Sequence, residues 1–390
     1  MAQAIVFYIS GHGFGHASRS IEVINAVLAK RPEVRIGVRT SAPRWLFDLS
    51  VKGKVAYSTL ECDTGVVQVD GLTLDEADSI RRASAFHSDL VTRAASETRA
   101  LRELGAGLIV GDIPPLAFAV GASAGIPTVA LGNFTWDWIY ADYPRVRLAP
   151  SLLPAIRTAY SKASMALRLP MARGFESFSN VKDIPFIARH ATRTRAEVCK
   201  ILKIPTDKPI VLASFGGYGL PSLDTSNLSK FKKYTVVTTA NVPLSRAARK
   251  DVQAAERKGS FININEEAMY DVGVRYEDLV GAAEALVTKP GYGVISECIA
   301  NDTAILYTSR GHFPEYDVIL EEMPKYLRSA LISHDDLFAG KWESHLDKLL
   351  GQAKPKKKPE TNGAEVAADI LLKALDKPPK KPRGRPKAKF

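Results

Sequence analysis

Two histidines four residues apart, His12 and His16, lie in the glycine-rich run Gly11-His12-Gly13-Phe14-Gly15-His16. Imidazole titrates near neutral pH, so a histidine held in such a loop can carry a proton to or from a reacting hydroxyl. A carboxylate that could orient one of them is Asp112, in Gly111-Asp112-Ile113-Pro114-Pro115. Asp112 reads either as an acid at the ligand edge or as a turn residue ahead of two prolines. A second glycine run, Lys289-Pro290-Gly291-Tyr292-Gly293-Val294, is followed by Glu297. Glycines 291 and 293 allow close approach of a phosphate to the backbone. Glu297, about a turn further on, suits the ribose hydroxyls of a nucleotide; its bland alternative is a solvated or helix-pairing acid. A third run, Phe215-Gly216-Gly217-Tyr218-Gly219, offers further phosphate contacts.

Each run stands at the same kind of position. Ile5–Ile9 is a short apolar, β-rich stretch, and after the glycines Ile21, Ile24, Val27 and Leu28 recur at helical spacing. Strand, glycine turn and helix N-terminus present free amides and a positive dipole end to an anion. The glycines at 11, 13 and 15 do not make G-x-G-x-x-G. The second strand ends in Arg39-Thr40, without the acid of an NAD site, which leaves only NADP among dinucleotides.

Candidate strands at 5–10, 34–39, 55–60, 108–111 and 128–131 alternate with helices at 19–30, 75–104 and 116–124. That alternation predicts a doubly wound, mostly parallel sheet. Asn133-Phe134-Thr135-Trp136-Asp137-Trp138 follows a strand, so Asn133, Trp136 and Asp137 are acceptor-side candidates; a packed lid is the alternative for the tryptophans. The irregular, proline-containing 174–190 reads as the domain boundary. A second alternating set runs through 209–214, 234–238, 260–264, 285–288 and 304–307, with a helix at 294–301. The expected division is 1–180, 185–350, a helix at 361–376 and a basic tail at 377–390.

The chain has 390 residues, 46% hydrophobic and 24% charged, as expected of two packed domains. Three dispersed cysteines argue against a disulfide frame or a zinc site and suit a reducing compartment. No apolar run approaches the ~20 residues that span a bilayer, and the N-terminus lacks a basic signal-peptide flank. A cytoplasmic location is therefore expected. Of the net +11, residues 352–390 hold 12 Lys/Arg against 4 Asp/Glu, leaving +3 on the first 351. Lys381-Pro382-Arg383-Gly384-Arg385-Pro386-Lys387 resembles an AT-hook core, whose extended Arg-Gly-Arg would lie in an A·T-rich minor groove. A disordered extension attracting any polyanion is the alternative.

The runs GHGFGHASR, GNFTWDWIYADY, FGGYG and TKPGYGVISE, taken in order, resemble the glycosyltransferase-like N-terminal domain of plant-type L-arabinokinases. The likeness extends to about Leu375. It implies an α/β GT-B fold: two Rossmann-like domains facing a deep cleft, with no required metal or cofactor beyond a nucleotide diphosphate sugar as co-substrate. The 11–16 loop is similar to that of the peptidoglycan N-acetylglucosaminyltransferase, with His16 matching its closing histidine. Gly291-Tyr292-Gly293 with Glu297 is similar to its UDP-binding motif, and Glu315 falls where such enzymes hold the donor sugar's hydroxyls. Val294 departs from the usual Ser/Thr. No sugar-kinase phosphate loop is found, so arabinokinase activity is not expected. The resemblance implies inverting hexosyl transfer, with His16 as candidate base, Asp112 orienting it or sharing the role, and Lys289 or Arg310 beside the leaving diphosphate; the alternative for His16 is a neutral imidazole capping the first helix. Tyr218 or Tyr292 could stack on the base. The alternative is a nucleotide-sugar sensor without turnover. His12 reads as a backbone spacer or a purely structural side chain.

Overall fold

A computed structural model describes residues 3–69, 73–215, 223, 225–240, 255–309 and 311–377. Gly216, Gly217, Tyr218, Arg310 and residues 378–390 lie outside them.

In chain order the strands are β1 (Ala4–Ile9), β2 (Arg35–Thr40), β3 (Val55–Thr59), the small hairpin β4 (Val67–Gln68) and β5 (Leu74–Asp75), then β6 (Ala106–Asp112), β7 (Thr128–Gly132), β8 (Met165–Arg168) and β9 (Val181–Asp183). The second half contributes β10 (Ile210–Ala213), β11 (Thr235–Ala240), β12 (Ala255–Lys258), β13 (Phe261–Asn265), β14 (Ala285–Thr288), β15 (Ala304–Tyr307) and β16 (Ser329–Leu331). Among the described residues they form two seven-stranded sheets, ordered β3-β2-β1-β6-β7-β8-β9 and β12-β13-β11-β10-β14-β15-β16. Every described pairing in the first sheet is parallel, and in the second only β12 runs antiparallel. In each sheet the strand order reverses beside the first strand, so the carboxyl ends of β1 and β6, and of β10 and β14, open crevices for ligands.

Four features differ from the sequence reading. The first helix spans Phe14–Lys30 and starts five residues early, because Gly13 takes φ 75° and ends the extended chain there. The expected helix at 75–104 is two, Glu76–Ser88 and Leu90–Leu104, interrupted at Asp89. The stretch read as irregular at 174–190 holds β9, which closes the first sheet's edge against β8. The helix expected at 294–301 begins at Tyr292, so Gly293 and Val294 belong to its first turn.

The chain crosses between the sheets near residue 185 and returns near residue 360. There Gly363 donates its N–H to the Phe186 carbonyl at 2.9 Å, and Ile187 bridges Asn362. A side chain at 363 would overlap Pro185 O and come within 2.8 Å of Phe186 O, so the two crossings pack backbone to backbone. The returning helix Gly363–Leu375 places Ala367, Ala368, Leu371 and Leu375 in one apolar cluster with Ile5, Phe7, Ile21 and Ile24 of the first domain.

Candidate functional site

The early helix start sets the site. His16, Arg19 and Ser20 follow i, i+3, i+4 spacing on one face of the helix Phe14–Lys30. All three meet Asp112, the last residue of β6. His16 Nδ1 lies 2.8 Å from Asp112 Oδ1. Arg19 Nε donates to Oδ2 at 2.7 Å and Nη2 donates to Oδ1, while Ser20 Oγ donates to Oδ2 at 2.9 Å. Asp112 is fully buried. Burial alone would raise its pKa, but the Arg19 guanidinium and His16 hold it down at about 2. The next residue, Ile113, has φ 69°, a region costly for a β-branched side chain and characteristic of functional loops. Tyr160 Oη donates to the Ile113 carbonyl at 2.9 Å and helps fix that turn.

Asn133 caps this network. It accepts from Arg19 Nη1 at 2.6 Å and donates to Pro170 O at 2.8 Å.

A second histidine–carboxylate pair stands beside the first. His12 Nε2 lies 3.2 Å from Asp63 Oδ1. Asp63 is 2% exposed and also accepts from Ser10 Oγ at 3.0 Å and Trp136 Nε1 at 2.8 Å. Desolvation works against its charge, yet these bonds and the nearby imidazoles keep its carboxyl below the ordinary value. His12 thus has a side-chain partner, which backbone spacing alone does not require. Asp63 carried no sequence signal: it lies in Glu61-Cys62-Asp63-Thr64, with no glycine motif, and meets its partner across 51 residues.

Both histidines open onto a cleft of about 490 Å³ between the two domains, a size common for small-molecule sites. From the second domain come Lys289, Gly291, Tyr292, Gly293, Val294, Glu297 and Glu315. The N-terminus of the helix Tyr292–Asn301 faces that of Phe14–Lys30 so closely that a Cβ on Gly293 would sit 3.5 Å from Gly15 Cα. Two helix dipoles thus point their positive ends into one space.

Glu297 is 5% exposed and pairs with a residue that sequence reasoning missed, Arg189 of the crossing. Arg189 Nε and Nη2 each reach Glu297 Oε1 at 2.6 Å, and Nη1 lies 3.3 Å from Glu277 Oε2. Burial lifts the Glu297 carboxyl above its ordinary value against the pull of Arg189. Glu22, across the cleft on the first helix, is pushed up to about 7 by burial; Arg189 opposes the shift, and Glu277 and Glu297 add to it. Nothing in the sequence marks these pairings, because Arg189 and Glu297 are 108 residues apart.

Other expected site residues fall differently. Asp112 and Asn133 are buried and do not line the cleft; they hydrogen-bond to His16 and Arg19, which do. Asp137, 4% exposed, turns away to pair with Arg157 at 3.0 Å. Trp136 borders the cleft, but it is 3% exposed and stacked on Tyr140, so it packs as a wall. Tyr292 donates its hydroxyl to Met171 O at 3.0 Å and stacks on Phe134, which spends the ring on joining the domains. Gly11 is structural: a Cβ there would overlap Ser41 Oγ. Gly13 and Gly15 border the cleft. Among the described residues no group of three or more His, Cys, Asp or Glu is placed to hold a metal, and no helix is long and apolar enough to cross a membrane.

No protein-family model matches the chain. It is 31% identical over 375 residues to L-arabinokinase of Arabidopsis thaliana, a match that covers 94% of this chain and 34% of that protein. The chain thus spans about a third of the length of this curated relative. Solved structures of the same fold include the calicheamicin glycosyltransferase CalG4, with TM-score 0.59, 15% identity, and 96% and 94% of the two chains covered. A UDP-glucosyltransferase from Polygonum tinctorium follows at TM-score 0.56, 13% identity and the same coverage. UGT2 of Phytolacca americana, complexed with UDP-2-fluoro-glucose and pterostilbene, has TM-score 0.56, 14% identity and again 96% and 94% coverage. The fold is GT-B, as the sequence motifs implied.

Proposed function

We propose that the cleft transfers a hexose from a nucleotide diphosphate sugar, UDP-linked as in the Polygonum tinctorium UDP-glucosyltransferase and the Phytolacca americana complex with UDP-2-fluoro-glucose, to a hydroxyl acceptor. One observation carries the reading: a glycine-flanked helix N-terminus in the second domain faces two histidine–carboxylate pairs in the first, across one cleft. The first turn at 291–294 would receive the diphosphate, with Lys289 beside it. Glu297 would meet the ribose and Glu315 the hexose hydroxyls. The acceptor would enter against the first domain, where an imidazole takes its hydroxyl proton as the sugar's anomeric carbon is attacked from the opposite face, inverting its configuration. Fixed dipoles and cations would stabilise the leaving diphosphate, so the scheme invokes no metal.

A nucleotide-sugar sensor without turnover is the second reading. It is favoured by Arg19 and Arg189, which neutralise Asp112 and Glu297 respectively. UDP release from UDP-hexoses over a panel of hydroxyl acceptors separates the two. Release that depends on acceptor supports transfer, and binding with no release over the whole panel supports the sensor. An A·T-rich DNA contact through residues 377–390 is a separate proposal from sequence, tested by gel shift against G·C-rich duplex.

A further inference from the structure

The two histidine–carboxylate pairs are not electrostatically equivalent, and the difference bears on which imidazole takes the proton. Asp112 already has its charge matched: the Arg19 guanidinium occupies both carboxylate oxygens, and Arg19 Nη2 lies 3.0 Å from His16 Nδ1. Around Asp63, among the described residues, the side-chain partners are two neutral donors, Ser10 and Trp136, and His12 itself. The charges acting on His12 are the carboxylates of Asp63 and Glu61, and His16 is the other imidazole felt by Asp63. A proton arriving on His12 would therefore complete a neutral pair, buried on the Asp63 side.

The ring is also held in one orientation. Its Nε2 is on Asp63, its edge meets Trp136 at 6.3 Å between centroids, and its face lies on Gly65, where φ is 51° and any Cβ would overlap the ring. With Nε2–H donated to Asp63, Nδ1 keeps its lone pair, and among the described residues it has no partner. The side chain is 32% exposed and borders the cleft.

Resting on the transferase reading above, we propose that His12 is the catalytic base and Asp63 the residue that positions it, while His16, Asp112 and Arg19 form a fixed polar unit at the helix start. In the step, the acceptor hydroxyl oxygen bonds to the anomeric carbon as the bond from that carbon to the diphosphate oxygen breaks. The electron pair leaves with UDP, and the hydroxyl proton passes to His12 Nδ1. Burial disfavours the imidazolium and Asp63 more than compensates, so His12 titrates above its ordinary value. The base must be unprotonated, so the rate rises with pH through that value. Removing the Asp63 charge moves the rise to lower pH.

The experiment uses the full chain with UDP-glucose, reading binding by calorimetry, UDP release to water and to the best hydroxyl acceptor against pH, and the histidine rings by NMR. His12→Gln is expected to bind UDP-glucose as wild type does and to lose roughly a hundredfold or more in release. Asp63→Asn is expected to move both the acidic limb and the His12 titration down by about one pH unit. The wild-type ring titration stands alone if Asp63→Asn does not fold. Wild-type release by His12→Gln, an unmoved limb in Asp63→Asn, or His12 titrating at or below its ordinary value each overturns the proposal. So does donor binding with no release by wild type at any pH. If wild type binds no UDP-glucose, the transferase reading itself has failed, which the binding arm shows separately.

Discussion

Arg19 decides what Asp112 is. A lone buried carboxylate would be expected to protonate, but a guanidinium across both oxygens keeps it charged, with its pKa down at about 2. Asp112→Asn leaves Arg19 buried without its counter-charge and is expected to cost about 3–5 kcal/mol, read by chemical denaturation. The pH dependence has a definite sign. A depressed carboxyl contributes stability that is complete above its unfolded value, about 4, and is lost as pH falls towards 2. The wild-type advantage over Asp112→Asn should therefore shrink steadily in acid; an advantage unchanged down to that pH would contradict the ion pair. His16 and Asp112 were legible in the sequence because a glycine loop and a strand end each announce themselves locally. Arg19, Asp63 and Arg189 were not, since each is defined by a partner 51 or more residues away. The His12 pairing was hidden for the same reason, since its partner Asp63 lies 51 residues away.

Among the elements, the parallel strands were legible from their apolar runs, and 285–288 and 304–307 form as expected. The helix boundaries were not. Gly13, read only as part of a loop, starts the first helix, and that shift places His16, Arg19 and Ser20 on one face. The helix Gly363–Leu375 lies within the 361–376 expected from sequence, but nothing local told which sheet it covers. Its Leu371 is fully buried against the first domain. Leu371→Ala is expected to destabilise the protein by about 2–5 kcal/mol. Gly363→Ala is expected to do so by about 1–3 kcal/mol, because the added methyl meets backbone carbonyls that can move only by parting the crossings. Denaturant midpoints check both, and an unchanged midpoint in either would mean that the returning helix is not part of the first domain's core.

Over the whole molecule, the cleft brings acids from both domains around one half-buried cation, Arg189. Glu22 on the first helix and Glu277 and Glu297 in the second domain all act on Arg189 or through it. Burial lifts Glu22 to about 7, and the carboxylates of Glu277 and Glu297 add to the rise, which Arg189 and Lys52 oppose. A raised carboxyl opposes folding once ionised, so wild-type stability should fall as pH rises from the unfolded value, about 4, to 7. Glu22→Gln should match wild type in acid and exceed it by roughly 1–3 kcal/mol above neutral pH. Equal stability at both ends would mean that Glu22 stays hydrated. On the proposed reading, Glu297 would meet a nucleotide's ribose hydroxyls and the facing helix ends its diphosphate.

That last point is the centre of the functional account, and calorimetric titration of UDP into wild type and Glu297→Gln tests it most directly. Saturable binding by wild type, weakened tenfold or more in the folded variant, is the expected result. No heat of binding with wild type, or equal affinity in both proteins, would contradict a nucleotide seated on Glu297.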